Sequence, residues 1–379
     1  MKQSRLLFAC ALILLQAYTL DAQVSGQRGS KTITTAVPFL LVAPESRGGA
    51  MGETGVAVAD NANAMHWNPG ALGFLDSRIG FAMSYSPWLR ALNIPDINLV
   101  YLSGFYNTGS SGVVGASLRY FSLGIINYTD GVGDPLGEGK PNEFALDVAY
   151  SLRVTPVLSA AITMRYFNSQ LASNADILDP NARPVNSVAG DIGFLYKKDF
   201  EIRGQNDIPV QFTSGLAISN IGPKVSYTGQ TADRDFIPIN LRIGYGFKFF
   251  VDDYNSITLT NDFNKLLVPS EGGASEQALL SGIFGSFSDA DGGFGEELTE
   301  INTSLGFEYW YREIFAARAG YFYEDPLKGN RRFFTAGAGI RYNVFALDFS
   351  YLIPLQQNHP LANTLRFTLA YNFEAESEE

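Results

Sequence analysis

Cysteine is nearly absent from this chain. The single Cys10 sits inside the apolar run 6–15, behind the basic start Met1-Lys2-Gln3-Ser4-Arg5 and ahead of Leu20-Asp21-Ala22-Gln23. Basic start, apolar middle and small-residue exit read as a secretory leader cut after Ala22. A lipoprotein cysteine would follow the run, so lipidation is excluded. The mature chain then has no cysteine, which rules out disulfides, thiolate metal sites and a cysteine nucleophile. Histidine is scarce too: only His66 and His359. Neither has a neighbouring carboxylate and nucleophile, so both read as structural and no enzyme is expected. A histidine-based hydrolase would need one of the two.

Charge is also thin. Charged residues make up 17% of the chain, against the usual ~25% of a soluble domain. The net charge is -11 with no basic stripe, which argues against nucleic acid. No later segment approaches the roughly 20 apolar residues of a membrane-spanning helix. The mean hydropathy of +0.01 nevertheless suits a chain whose strands alternate apolar and polar residues.

What is present is aromatic and glycine-rich: aromatics at 13%, with Gly 38, Tyr 19 and Phe 28. From Arg78 onward, segments of period two recur between turn-forming residues. Phe144, Leu146, Val148, Tyr150, Leu152 and Val154 alternate with Ala145, Asp147, Ala149, Ser151 and Arg153. Leu365, Phe367, Leu369, Tyr371 and Phe373 alternate with Arg366, Thr368, Ala370 and Asn372. Such a period places one face in an apolar medium and the other elsewhere. The spacing predicts fourteen strands, at 78–85, 97–106, 112–123, 143–154, 158–168, 187–198, 209–220, 238–250, 256–264, 302–311, 315–323, 333–342, 345–353 and 364–373.

Their connectors alternate in length. Short ones at 107–111, 155–157, 251–255, 312–314 and 343–344, with an intermediate one at 199–208, interleave with long ones at 124–142, 169–186, 221–237 and 265–301. Short turns on one side and long loops on the other are the mark of an outer-membrane barrel. Lipid offers no hydrogen-bond partners, so such a sheet must close. The fold class is therefore all-β: a transmembrane barrel of about fourteen antiparallel strands. The expected organisation is a leader at 1–22, an N-terminal segment at 23–77 inside the barrel or on its periplasmic side, the barrel at 78–373 and an acidic periplasmic tail at 374–379. Long loops are expected outside and both termini in the periplasm.

Ten charged residues are expected to face the lumen: Arg119, Asp147, Arg153, Arg165, Asp191, Glu308, Arg318, Arg341, Asp348 and Arg366. Mixed signs favour a mutually satisfied interior over a selective pore. Arg341 and Asp348, across a tight turn, are expected to pair. Gly244, Gly246, Gly337 and Gly339 would mark a wall kink if the barrel opened laterally.

Three motifs fail on inspection or stand on weak ground. Gly137-Glu138-Gly139-Lys140 lacks the upstream glycine and following hydroxyl of a phosphate loop. Asp289-Ala290-Asp291-Gly292-Gly293 breaks a calcium loop at its third ligand. The apolar residues Ala278, Leu279, Leu280, Ile283, Phe284 and Phe287 in the longest connector either pack over the mouth or dock a partner. Trp88, Leu89 and Leu92, in the connector 86–96, form a second candidate docking loop. No cofactor and no metal are expected.

The stretch 38–75 is built of small residues with little alternation. Arg47-Gly48-Gly49-Ala50-Met51-Gly52, then Val56-Ala57-Val58-Ala59-Asp60, then Asn68-Pro69-Gly70-Ala71-Leu72 resembles the N-terminal hatch of fatty-acid-transporter-like barrels. There a small-residue segment ending in Asn-Pro-Ala fills the lumen; here Gly70 intervenes before Ala71. The resemblance marks Arg47, Gly48, Met51, Gly52, Asp60, Asn68 and Pro69 as hatch residues, lying in the lumen or on the periplasmic side. The approach 35–40 and the fourteen strands resemble the barrel family of the Bacteroidetes type IX secretion system. That resemblance implies a shuttle. It would bind the C-terminal signal domain of secreted cargo leaving a large translocon barrel. It would then deliver the cargo to a sortase-like attachment complex at the surface, within outer-membrane lipid. A relative has been linked to lipopolysaccharide deacylation, but no catalytic set supports that here. The alternative is an uptake channel for hydrophobic small molecules.

Overall fold

A computed structural model describes residues 31–90, 96–171, 181–204, 207–230, 233–270, 277–356 and 360–373. The expected leader, the acidic tail, Leu92 and His359 lie outside the described residues. Sixteen strands appear in chain order: β1 (Ile79–Pro87), β2 (Ile97–Asn107), β3 (Val113–Leu123), β4 (Ile126–Thr129), β5 (Pro135–Gly139), β6 (Asn142–Thr155), β7 (Leu158–Gln170) and β8 (Val185–Ile202). Then come β9 (Ile208–Ile221), β10 (Asn240–Phe250), β11 (Asn255–Leu266), β12 (Asn302–Tyr311), β13 (Phe315–Tyr323), β14 (Arg332–Tyr342), β15 (Phe345–Pro354) and β16 (Leu365–Phe373). Fourteen of them close an antiparallel barrel, sealed by β1 on β16, while β4 and β5 form a separate hairpin within one long connector. The first and last strands pair from Ile79↔Phe373 to Tyr85↔Phe367, so no edge is left unpaired where lipid could not satisfy it.

The alternation read from the sequence is inverted relative to a soluble protein. In β6, Leu146, Val148, Tyr150 and Leu152 are exposed while Ala145, Asp147, Ala149 and Ser151 are buried. In β16, Phe367 and Leu369 point out while Arg366, Thr368 and Ala370 point in. Aromatic neighbours form an outer belt, with Phe212 and Phe247 at 5.0 Å and Phe345 and Tyr371 at 5.3 Å between ring centroids. Each predicted strand is present, most within two residues of its expected ends. β8 is the largest difference, running to Ile202 and continuing its pairing with β9 to Ile202↔Ile208. The charges Lys197, Lys198 and Asp199 interrupt the apolar signal there, but the backbone ladder does not depend on side-chain polarity.

Residues 43–75 run inside the barrel and are almost wholly buried. Wall glycines mark their closest approaches. A Cβ at Gly320 would fall on the backbone of Gly52, and one at Gly215 on the carbonyl of Val56. Gly244 and Gly246 face Val56 and Val58, and Gly337 faces Ala50. The reading of these glycines as kinks for a lateral opening therefore gives way to another: they are smooth patches on which the hatch rests. The segment enters from the unexpected end. Lys31 donates its backbone N–H to Leu327 O (2.9 Å), in the connector between β13 and β14, on the long-connector rim. Phe373 ends the last strand on the short-turn rim. The described chain thus starts and finishes at opposite mouths.

Candidate functional site

The hatch is held by charge and by backbone contacts on all sides. Its first helix, Ser46–Ala50, begins at Glu45, whose carboxylate accepts from Arg47 N and Gly48 N (both 2.6 Å) and from Trp67 Nε1 (2.9 Å). These bonds satisfy free amides of the helix start. Gly48 carries no side chain because the Trp67 ring and the Thr54 carbonyl would meet a Cβ at 2.6 and 2.7 Å. Arg47 then forks onto Glu308 of β12, with Nε–Oε2 at 2.8 Å and Nη2–Oε1 at 2.7 Å, and touches Asp60 at 3.1 Å. Glu308 also accepts from Arg318 (2.6 Å), which continues to Asp348 (2.6 Å). Asp262 of β11 accepts from Gly55 N and Val56 N at 2.7 and 3.0 Å. Asn68 caps Gly70 N and donates to Val56 O and Phe194 O. Pro69 opens the 3-10 turn Pro69–Phe74 with its φ already set. Gly52, at φ 71, donates to Thr335 Oγ1 (2.8 Å), and Met51 is buried beneath Gly306.

The lumenal charges form networks. Arg165 joins Asp147 (2.6 Å) and Asp191 (3.0 Å), and Arg366 reaches Glu53 (2.7 Å). One expected pair is corrected. Arg341 does not meet Asp348; it meets Asp60 (3.2 Å) and Glu313 (3.5 Å). The β14–β15 register sets Asp348 opposite Gly339 and Arg341 opposite Ala346. A side chain at Gly339 would strike both Asp348 and Arg318, so its absence is the gap through which those two pair. Arg153, also expected inside, sits at the rim over the Phe74 ring at 4.4 Å.

His66 is buried, and its Nδ1 is 2.6 Å from Arg119 Nη2. It faces Trp67 and Tyr101 edges, not a serine or carboxylate. Between hatch and wall, near the short-turn rim, a recess of about 110 Å³ is bordered by Asp60, Phe74, Lys197, Lys248 and Trp310.

The long-connector mouth is closed differently, by an apolar core. Ala36, Val37, Phe39 and Leu40 pack with Ile97, Leu99, Phe121, Phe167, Ile237, Ile239 and Leu267. Trp88 belongs to this core, against Phe121 at 6.4 Å, and Leu89 packs on its edge. Trp88 and Leu89, two of the expected docking residues, thus pack into the seal. Above the seal lies the helix Leu279–Gly285. Leu279 and Ile283 face down onto the core. Gly282 lets the helix settle closely, since a Cβ there would meet the Phe236 ring at 2.5 Å. Leu280, Phe284 and Phe287 face away, at 65, 73 and 50% exposure. A second helix, Phe294–Thr299, adds exposed Phe294 and Leu298. The sequence reading missed these two, although their i, i+4 spacing was visible. Beneath, Lys265 pairs with Glu297 (3.1 Å) and Glu300 (2.6 Å), Lys328 with Glu296 (2.8 Å) and Glu300 (2.9 Å), and Lys31 with Glu296 (3.0 Å). Asp289, Glu297 and Glu300 converge within 4.8 Å, but the two lysines already engage two of the three carboxylates.

The chain aligns with several solved structures. The Ralstonia pickettii toluene transporter TbuX aligns with TM-score 0.48 and 13% identity, over 89% of this chain and 100% of that one. The Pseudomonas putida toluene transporter TodX aligns with TM-score 0.48 and 10% identity, over 86% and 97%. A Pseudomonas aeruginosa FadL homologue aligns with TM-score 0.41 and 11% identity, over 91% and 100%. No curated protein matches the chain. The family described as "Type IX secretion system protein PorV" matches residues 25–272, well over half of the sequence. The chain belongs to the PorV family of type IX secretion barrels.

Proposed function

We propose that this outer-membrane barrel is a non-enzymatic shuttle. It captures the C-terminal signal domain of secreted cargo at a large translocon barrel and delivers it to a sortase-like attachment complex. The long connectors face the cell exterior and the short turns the periplasm, with a leader removed after residue 22. The observation that carries this reading is the pairing of a sealed lumen with an exposed apolar lid. A hatch fixed by buried ion pairs leaves no path for cargo through the wall, so work is done on the surface. Five apolar side chains at the mouth, Leu280, Phe284, Phe287, Phe294 and Leu298, stand out of contact with the core. A water-facing apolar patch of that kind marks a docking surface. The filled mouth also speaks against uptake of hydrophobic small molecules, since the chamber such a ligand would need is occupied by Phe39 and Leu40.

The test is binding of a purified cargo signal domain to the detergent-solubilised barrel. Replacing Leu280, Phe284 and Phe287 together with serine should weaken binding at least ten-fold, on the order of one buried large side chain's contribution. The same variant should keep its unfolding midpoint. Unchanged affinity would remove the lid from the cargo interface.

A further inference from the structure

The segment 36–42 behaves as a ligand of the barrel that happens to be covalently attached. Among the described residues it has no strand partner, and its only helical element is the four-residue 3-10 turn Pro38–Leu41. Yet Val37, Phe39 and Leu40 are among the most buried side chains of the mouth. The chamber recognises its backbone as well as its side chains. Phe236 O accepts from Ala36 N (2.9 Å). Arg119 Nη1 donates to the carbonyls of Phe39 (2.9 Å) and Leu40 (2.7 Å). The Tyr227 hydroxyl lies 2.7 Å from Ser169 Oγ at the edge of the same core.

Two features say the fit is imperfect. Val37 holds φ 48 and ψ 50, the left-handed region, which a β-branched residue almost never enters without strain. Arg119 is buried with no carboxylate at hydrogen-bond distance among the described residues; its partners are the two carbonyls of this segment, His66 and the Tyr101 ring at 5.6 Å. A buried guanidinium held by neutral acceptors is costly and favours any occupant that supplies them better.

We infer that the apolar chamber beneath the long connectors is a peptide-binding site. Residues 36–42 occupy it in cis, and a short apolar peptide from a partner can replace them. The class of ligand follows from the contacts. It carries two consecutive carbonyls for Arg119, a large aromatic or aliphatic pair at the positions of Phe39 and Leu40, and one free N–H for Phe236. Leu279 and Ile283 of the lid helix rest on the same core, so exchange of the occupant also repositions the exposed lid. This goes beyond the shuttle reading and does not depend on the cargo binding there.

The probe is a synthetic peptide Thr-Ala-Val-Pro-Phe-Leu-Leu-Val, identical to residues 35–42, added to the full chain in detergent. A fluorophore on Thr34→Cys, an exposed position, reports whether the internal segment leaves. Saturable binding that frees the label, read as a fall in its fluorescence anisotropy, is expected. A peptide with serine for its phenylalanine should bind about ten-fold more weakly or worse, given the burial of that ring. A second variant, Ala36→Cys with Phe236→Cys, should bind labelled peptide when reduced and not when oxidised. Absence of saturable binding would overturn the inference. So would equal binding by the oxidised lock, or by the serine peptide.

Discussion

At the residue scale the interior is governed by paired charge. Arg47, Glu308 and Arg318 are buried, and among the described residues they ion-pair with one another and with Asp60 and Asp348. Removing one member leaves a bare buried charge, which costs about 3–5 kcal/mol. Glu308→Gln should therefore lower the unfolding free energy by that order, read from the denaturation midpoint in detergent. A surface pair such as Lys248 and Glu313 should show under about 1 kcal/mol in the same assay.

At the scale of elements, the lid helix divides into two faces with opposite duties. Ile283 is half-buried against the mouth core, and its truncation to alanine should cost about 1–2 kcal/mol, below the range of a fully buried isoleucine. Phe284→Ser, on the water side, should stay within about 0.5 kcal/mol of wild type. The second helix is tied down through Glu296, whose carboxyl hydrogen bonds from Lys328 and Lys31 hold at about 2. That group contributes above its ordinary carboxylate value of about 4.5 and loses its contribution as the pH falls toward 2. Hydrogen exchange over the segment Phe294–Thr299 should accelerate across that window before the barrel strands respond. The sequence announced the amphipathic character of 278–287, but not which residues would face down. That choice was made by Phe236 and the 36–42 segment, far away along the chain.

At the scale of the molecule, closure and plugging are separate achievements. The barrel is closed by the β1–β16 ladder, while the lumen is closed by the hatch lying on wall glycines. Gly320→Val places a side chain where the Gly52 backbone passes. The barrel should still form, since valine suits a strand, but the hatch should be displaced. Planar-bilayer recordings should then show ion leak where the wild type is silent. A silent variant would show that the hatch holds against loss of that contact.

The sequence by itself determined the fourteen barrel strands and their inside-out alternation, though not the β4–β5 hairpin, because period-two patterning is a local property of neighbouring side chains and lipid on one face enforces it. The resemblance marked which stretch would lie in the lumen or on its periplasmic side, and the small residues Gly48, Ala50 and Gly52 there leave room for close backbone contact. Pairing was not legible. Arg341 looked like the partner of Asp348 because they are close along the chain, yet the register placed Gly339 between that carboxylate and Arg318. Trp88 looked like a docking residue because it lies in a loop, yet the mouth core had need of a large ring there. Most unexpected was the route of residues 31–42 to the far rim. Nothing local separates a buried Phe39 from an exposed Phe284; each is an aromatic beside a large aliphatic residue, Leu40 and Ile283. Burial depends on which distant surfaces converge around a side chain, and the closing of the barrel alone brings Ile97, Phe121, Phe167 and Ile237 together.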